Sequence, residues 1–461
     1  MENRGESQLQ GRLGRRLLLF PLPLQGHINP TLQLANILHS KGFSITIVHT
    51  KLNSPNPSNY PHFTFFPIDD GLSENNEASR NDIVSLLTVL NVKCIEPFKQ
   101  AMSELLADSS GDPIACLISD AILHFTTAVC KSLNLPRLVL RTGGVSSFLA
   151  FAAFPLLLEK GYLPVQDAKS EEPVEELPPL RIKDLPVITT SHPEKLYRLV
   201  EGMIQETKAS SGLIWNSFEE LEESSLTKLR QDFQIPIFPI GPFHKHFAAS
   251  SSSLLAEDHS SISWLDKQAP NSVIYVSFGS IAAIEETDFL EVAWGLANSR
   301  HPFLWVVRPG LIRGAEWLEP LPEGFLESLD GKGHIVKWVP QLEVLAHPSV
   351  GAFWTHNGWN STLESICEGV PMICTPCFTD QLVNARYVSH VWKVGVQMEN
   401  GLSREKIEMV IKRVMGEKEG AEVRERVVRL QEKANLCVQP AGGGGSSYES
   451  LKSLVNYISL F

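Results

Sequence analysis

The chain has 461 residues, 43% of them hydrophobic and 20% charged, which is globular composition at a length that predicts two domains of about 200 residues or more. With 40 basic against 52 acidic side chains the net charge is −12, which argues against a nucleic-acid partner and against an anionic membrane surface. No run of about 18 apolar residues occurs, so no stable membrane insertion is expected. Seven scattered cysteines suit free thiols in a reducing cytosol.

Residues 1–15 carry Arg4, Arg12 and Arg15 and read as a disordered leader. The apolar run Leu17–Phe20 behind them is ended by Pro21 and Pro23, too soon for a signal peptide. From Arg16 onward short apolar strands alternate with helical stretches, the pattern of βαβ units and parallel sheets. Strands are expected at Arg16–Phe20, Ser44–Thr50, Phe63–Pro67, Ile114–Ser119, Arg137–Leu140 and Leu213–Asn216. Helices are expected at 30–41, 81–106, 122–132, 143–159, 193–208 and 218–230. Asp167–Pro193, rich in Glu and Pro, reads as a long loop forming a lip over a cleft. This outlines a first domain over 16–241.

Residues 242–263 are Ser/Ala-rich and weakly patterned, and form the expected linker. The alternation then restarts in a second domain, 264–445. Its expected strands are Val273–Ser277, Phe303–Val307, His334–Trp338, Gly351–Thr355 and Met372–Cys374. Its expected helices are 286–300, 359–369, 380–392, 403–416 and 420–437. Gly442–Gly445 is a flexible break before a last helix at 446–461. The whole reads as α/β, two Rossmann-like βαβ domains whose parallel sheets face a central cleft, with ligands outside the strands' carboxyl ends.

Two residues stand at such strand ends in the first domain. His27, in PLPLQGHINP, is placed to act as a general base, and Gly26 beside it allows close backbone approach. Asp120 follows CLIS. Each has a plainer explanation when taken alone: a hydrogen-bonded turn histidine, and an aspartate capping the next helix. Adjacent parallel strands would bring the pair within hydrogen-bond reach. Leu24, His124, Phe125, Phe148, Phe151, Leu156 and Phe378 flank these positions and are candidates for an apolar binding wall, each equally explained as core.

The densest signal is Trp338–Gln381. Its apolar run Val350–Thr355 suits a buried strand, His356-Asn357-Gly358 breaks it, and a helix opens at Asn360. A strand feeding a helix through a glycine turn offers free N–H groups and a positive dipole end, which suits a phosphate. Trp338, Trp359, Gln341 and Glu364 around it offer flat faces, an amide and an acid. That inventory suits a nucleotide. Cys374 and Cys377 form a lone CxxC, which, with no second cysteine pair, reads as packing rather than a metal or redox centre.

In its Trp start, its HxGWNS core and its Asp-Gln end, this stretch resembles the donor-binding box of plant secondary-product UDP-glycosyltransferases. The clade it most resembles includes the stevia diterpenoid and the cytokinin glucosyltransferases. The resemblance implies the two-domain GT-B fold, with the last helix crossing back to the first domain. It pairs His27 with Asp120 as a catalytic dyad and stacks Trp338 on uracil. Gln341 then contacts the base or ribose, and Glu364 accepts from the ribose hydroxyls. His356, Asn360, Ser361 and Ser280 hold the phosphates. Asp380, Gln381, Thr142 and the backbone of Trp359 bind the sugar, and Val339 and Gly26 count among the donor contacts.

The implied reaction moves glucose from UDP-glucose, a co-substrate, to a hydroxyl of a terpenoid, phenolic or flavonoid, with inversion to a β-glucoside. Transfer to a ring nitrogen of a cytokinin-like heterocycle and mere UDP-sugar binding are the alternatives. The resemblance further implies a cytoplasmic monomer without a required metal or other cofactor, and the chain lacks a DxD motif. Neither GxGxxG behind the first strand nor GxxxxGK[ST] occurs, which disfavours nicotinamide enzymes and P-loop NTPases. Gly143-Gly144 stand where many relatives have Ser-Ser, and Thr379 where Gly or Ala is common.

Overall fold

The computed structural model describes residues 13–72, 82–188, 190, 192–247, 253–416, 418–440, 442 and 444–461. Of the expected leader only 13–15 fall within it, and 248–252 of the expected linker fall outside. Seven strands build the first sheet: β1 (Arg16–Phe20), β2 (Ser44–Thr50), β3 (Thr64–Ile68), β4 (Ile114–Asp120), β5 (Arg137–Arg141), β6 (Gly212–Trp215) and β7 (Ile237–Pro239). They lie in the order β3-β2-β1-β4-β5-β6-β7. The second sheet is built from β8 (Val273–Ser277), β9 (Phe303–Val306), β10 (Gly333–Val336), β11 (Val350–Thr355), β12 (Met372–Cys374) and β13 (Gly395–Gln397), in the order β10-β9-β8-β11-β12-β13. Every named strand pair is parallel.

Parallel strands covered by helices on both faces are mainly apolar, and β1, β5, β6, β8 and β11 are buried at every residue, the arginines at the ends of β1 and β5 included. Each sheet reverses its winding once, between β1 and β4 in the first and between β8 and β11 in the second. At such a reversal the connecting segments diverge and leave a crevice at the strands' carboxyl ends. At these carboxyl ends stand His27, in the first turn of the helix after β1, Asp120, the last residue of β4, and Ser280 and His356, in the turns after β8 and β11.

Several elements differ from the sequence expectation for local reasons. The first helix runs Gln25–Ser40 rather than from 30, so His27 lies in its first turn. Pro30, which suggests a helix start, sits inside the helix and leaves the carbonyl of residue 26 without an amide partner. The expected 81–106 helix divides into Ile83–Lys93 and Ile95–Ala107, and 143–159 divides into Val145–Ala152 and Phe154–Glu159, with Pro155 in the first turn of the second piece. The helix expected from 122 starts at Thr126, and 380–392 is Asp380–Arg386 followed by one π turn, Tyr387–Val391. β7 and β13, of three residues each, are not among the expected strands.

The last helix, Ser446–Ile458, packs on the first sheet. Leu451, Leu454 and Ile458 are buried with Leu138, Ile214 and Phe238, and the Tyr457 hydroxyl donates to the Ser211 carbonyl at 2.7 Å. One face of this last helix therefore belongs to the core of the first domain. Replacing Leu454, which has no exposed surface, by Ala should cost ~2–5 kcal/mol through lost burial and the cavity left behind. Denaturant unfolding followed on the first domain checks this, and a loss below ~1 kcal/mol would contradict the packing described.

Candidate active site

His27 and Asp120 meet across the β1–β4 crevice. The imidazole Nδ1 lies 2.6 Å from Oδ2 of Asp120 and 2.9 Å from Oγ1 of Thr142, which follows β5. Asp120 is 2% exposed, and its Oδ1 accepts from the Ile122 N–H at 2.9 Å. Burial works to raise its pKa, but the adjacent imidazole and that N–H overcome this and hold the carboxyl below its ordinary value. An ionised carboxylate can only accept, so Nδ1 carries the proton and Nε2 keeps its lone pair. The pair is thus a base backed by an anion. Thr142, implied as a sugar contact, accepts from the same Nδ1–H through its hydroxyl oxygen, which leaves its own proton to donate, and it also lines the cavity.

The second sheet supplies the opposite wall. The His356-Asn357-Gly358 turn after β11 sets Asn357 in the left-handed region (φ 60°), which asparagine tolerates, and the helix Trp359–Cys367 starts directly behind it. The His356 ring stands against both glycine turns: a Cβ built on Gly279 or on Gly358 would lie 2.5 Å from its Nε2. Burial pulls the pKa of His356 down to about 4, so it enters the site neutral at ordinary pH. Glu364, one turn into the helix, accepts from Gln341 Nε2 at 2.7 Å, and burial pushes its pKa up to about 7. Gln341 also bonds Ser361 at 3.1 Å and accepts from the Tyr275 hydroxyl at 2.9 Å. Its amide therefore fixes the acid and the hydroxyl beside it.

Asp380 and Gln381 open a further helix at the cleft. Gln381 Oε1 accepts from the backbone N–H groups of Cys377 and Phe378 at 2.9 and 3.3 Å, leaving its amide nitrogen for the cavity. Thr379 before them sits at φ 56°, a region a β-branched residue seldom enters. Its N–H reaches the Val187 carbonyl of the lip at 3.1 Å, and its hydroxyl donates to Asp380 at 2.8 Å. The lip is tied to the second domain again where Arg181 pairs with Glu399 at 2.5 Å.

A cavity of about 350 Å³ joins the two walls. Gly26, His27, Thr142, Ser280, Trp338, Val339, Gln341, His356, Trp359, Asn360, Ser361, Glu364, Asp380 and Gln381 all line it, with Asp120 behind His27. Of the apolar candidates, Leu24, Phe151 and Phe378 line it too. The other four do not. Phe148 is turned into the core against Trp215 and Phe233, and Phe125 packs on Phe20 and Phe98. Leu156 projects from its helix with 37% of its surface exposed, and His124 is held beside Gly202 and Glu206. Helical phase decides Phe148 and Leu156, and the turn before the helix at Thr126 decides His124 and Phe125. Sequence reasoning also missed Leu196, Leu199, Val200 and Met203, one face of the helix Pro193–Lys208 and part of the cavity wall. Their spacing was the available signal.

Two contacts lock the walls together. Asn360 Nδ2 donates to the Gly26 carbonyl at 2.9 Å, the one that Pro30 leaves free. The Trp359 indole N–H donates to the Asn216 carbonyl at 2.7 Å, with its ring pressed on Gly144, where a Cβ would lie 2.9 Å from two ring carbons. Gly144 thus makes room for an indole of the other domain.

Comparison with known proteins follows the same site. The family model described as UDP-glucoronosyl and UDP-glucosyl transferase matches residues 73–433. The chain belongs to this family. UDP-glycosyltransferase 76B1 of Arabidopsis thaliana is 52% identical over 445 residues, covering 96% of this chain and 98% of that one. UDP-glycosyltransferase 76G1 of Stevia rebaudiana is 49% identical, with 100% of both chains covered. The structure of Phytolacca americana UGT2 complexed with UDP-2fluoro-glucose and pterostilbene superposes with a TM-score of 0.80 at 26% identity, covering 96% of this chain and all of that one. The protein is a UDP-glycosyltransferase with the GT-B fold.

In this transferase the side chain of Trp359 is a domain tie. Trp359→Phe keeps an aromatic ring but strands the buried Asn216 carbonyl, which should cost ~1–3 kcal/mol. An unfolding free energy within ~0.5 kcal/mol of wild type would show that the tie carries no weight.

Proposed function

We propose that the transferase moves glucose from UDP-glucose to a hydroxyl of a small apolar metabolite, inverting the anomeric centre. The observation that carries this reading is the His27–Asp120 contact of 2.6 Å opening on the same cavity as Trp338, Glu364 and Gln381. His27 Nε2 takes the acceptor's hydroxyl proton, and the oxygen attacks the sugar's anomeric carbon. The bond from that carbon to the phosphate oxygen breaks, and UDP leaves from the opposite side. Asp120 stabilises the imidazolium so formed. A single displacement turns an α-linked donor into a β-glucoside.

On the donor side Trp338 offers its face to uracil, and Glu364, held by Gln341, accepts from the ribose hydroxyls. The turns after β8 and β11 offer the diphosphate Ser280, neutral His356 and the first N–H groups of the helix Trp359–Cys367, a set that neutralises the leaving group without calling for a metal. Gln381 and Asp380 are placed to hold the sugar hydroxyls. Glucose is favoured by the donor analogue in the Phytolacca americana complex, and an apolar hydroxylated acceptor by the pterostilbene beside it. The apolar wall of Leu24, Phe151 and Val200 suits such an acceptor.

His27→Ala should lower kcat by ~10²–10⁴-fold while UDP-glucose affinity, read by calorimetry, stays within about twofold. Wild-type turnover in that variant would discard the base. The raised pKa of Glu364 adds a pH signature. Ribose hydroxyls donate to its ionised form, so UDP-glucose should bind more tightly as pH rises through about 7, and Glu364→Gln should flatten the profile. UDP-glucose is the right probe, because its phosphates do not titrate there. A pH-independent wild-type affinity would remove Glu364 from the donor contacts.

A further inference from the structure

Strand β5, RLVLR, begins and ends with an arginine, and both are buried: Arg137 is 4% exposed and Arg141 6%. Arg137 is the better satisfied of the two, with only its Nη2 lacking a partner. Its Nε donates to the hydroxyls of Ser119 and Thr126 at 2.9 Å, and Nη1 to the Glu206 carbonyl at 3.0 Å. Arg141 is less well served. Its Nη1 reaches only the thioether sulfur of Met203 at 3.1 Å, its guanidinium lies 4.9 Å over the Phe148 ring, and its Nε has no hydrogen-bond partner. A thioether is a weak acceptor, and an arginine cannot discard its proton to escape burial. The nearest acids, Asp120 and Asp380, act on its charge only through space and give it no hydrogen bond: Asp120 bonds His27 and the Ile122 N–H, and Asp380 bonds Thr379 and Asn384.

Arg141 also lines the cavity, and among the described lining residues it is the only arginine or lysine. The wall around it, from Ile122, Phe151, Leu199 and Met203, is apolar and offers it nothing stronger than that sulfur. A buried cation short of acceptors beside a ligand cavity is costly unless the ligand brings the anion. Its place is informative too. The next residue, Thr142, touches His27 at 2.9 Å, so an anion held by Arg141 lies on the acceptor side, close to the base.

We infer that Arg141 reads a carboxylate on the acceptor, making small apolar hydroxy acids the preferred substrate class of this transferase. The inference rests on the transfer reading above. The guanidinium anchors the carboxylate as a charge-assisted pair, and the apolar wall takes the hydrocarbon. The hydroxyl is left to give its proton to His27 and its oxygen to the sugar.

The test compares 4-hydroxyphenylacetate with its methyl ester, which lacks the charge at that end. Wild type should favour the acid by ~10–100-fold in kcat/KM, the range expected of a charge-assisted pair. Arg141→Met should bring the ratio to about one, and Arg141→Lys should restore part of it. A wild-type ratio near one, or a preference that survives in Arg141→Met, overturns the inference. So does an equal loss on acid and ester, because that marks a merely structural arginine. Binding of phenylacetate and phenylacetamide to the UDP-saturated protein, read by calorimetry, gives a second answer independent of turnover. Tighter carboxylate binding lost in Arg141→Met supports the inference, and equal affinities overturn it. UDP release with the ester but no acid preference overturns the role of Arg141 alone. Arg141-dependent phenylacetate binding, with no UDP release on any hydroxylated acceptor, would instead sink the transfer reading and leave the carboxylate site standing.

Discussion

The structure depends on one meeting: the carboxyl ends of two parallel sheets face each other across the cleft, and side chains of one helix start bridge them at the site itself. Each sheet alone has a crevice at its winding reversal, and neither crevice is a complete site. The His27–Asp120 pair, proposed as the base, stands on one side of the cleft, and the turn fit for a diphosphate on the other. Asn360 and Trp359, successive residues at the start of that second turn's helix, reach back to Gly26 and Asn216 in the first domain. The helix start that offers N–H groups to a phosphate is therefore also the clamp between domains.

Charge in the cleft is distributed by desolvation more than by ion pairs. The chain as a whole is strongly acidic, yet the residues closest to the phosphate position are neutral: His356, whose pKa burial lowers to about 4, and hydroxyl groups. Glu364 is pushed the other way by the same burial, to about 7, so it does not add a full negative charge to an empty site. Asp120 is kept firmly ionised, through the imidazole it supports. One solvent-poor cleft thus holds a half-neutral acid and an ionised one, and hydrogen bonding separates them.

Much of this was readable in the amino-acid sequence, for identifiable reasons. β1, β2 and β8 fall where their apolar runs place them, since a strand buried on both faces is mainly apolar. His27 and Asp120 could be assigned to strand ends from the runs before them, and the structure sets them in contact. What was not readable depends on tertiary phase. Phe148 and Phe151 share one short helix, but only the second faces the cavity. Arg141 falls one residue past the expected strand Arg137–Leu140, and sequence spacing does not disclose which neighbours lack an acceptor. Pro30 misplaced a helix start by five residues, because proline is common at that position and rare where it lies.

That proline has a wider consequence. By withholding an amide from Gly26 it opens the very turn that carries the base, and the vacant carbonyl is filled from the other domain by Asn360. The backbone next to His27 thus draws one of its hydrogen bonds from the other domain. Acceptor and donor halves exchanged between relatives would have to carry proline and asparagine together. Recombination that keeps each half's own ligand contacts but splits this pair would yield two sound domains with an unsupported base between them.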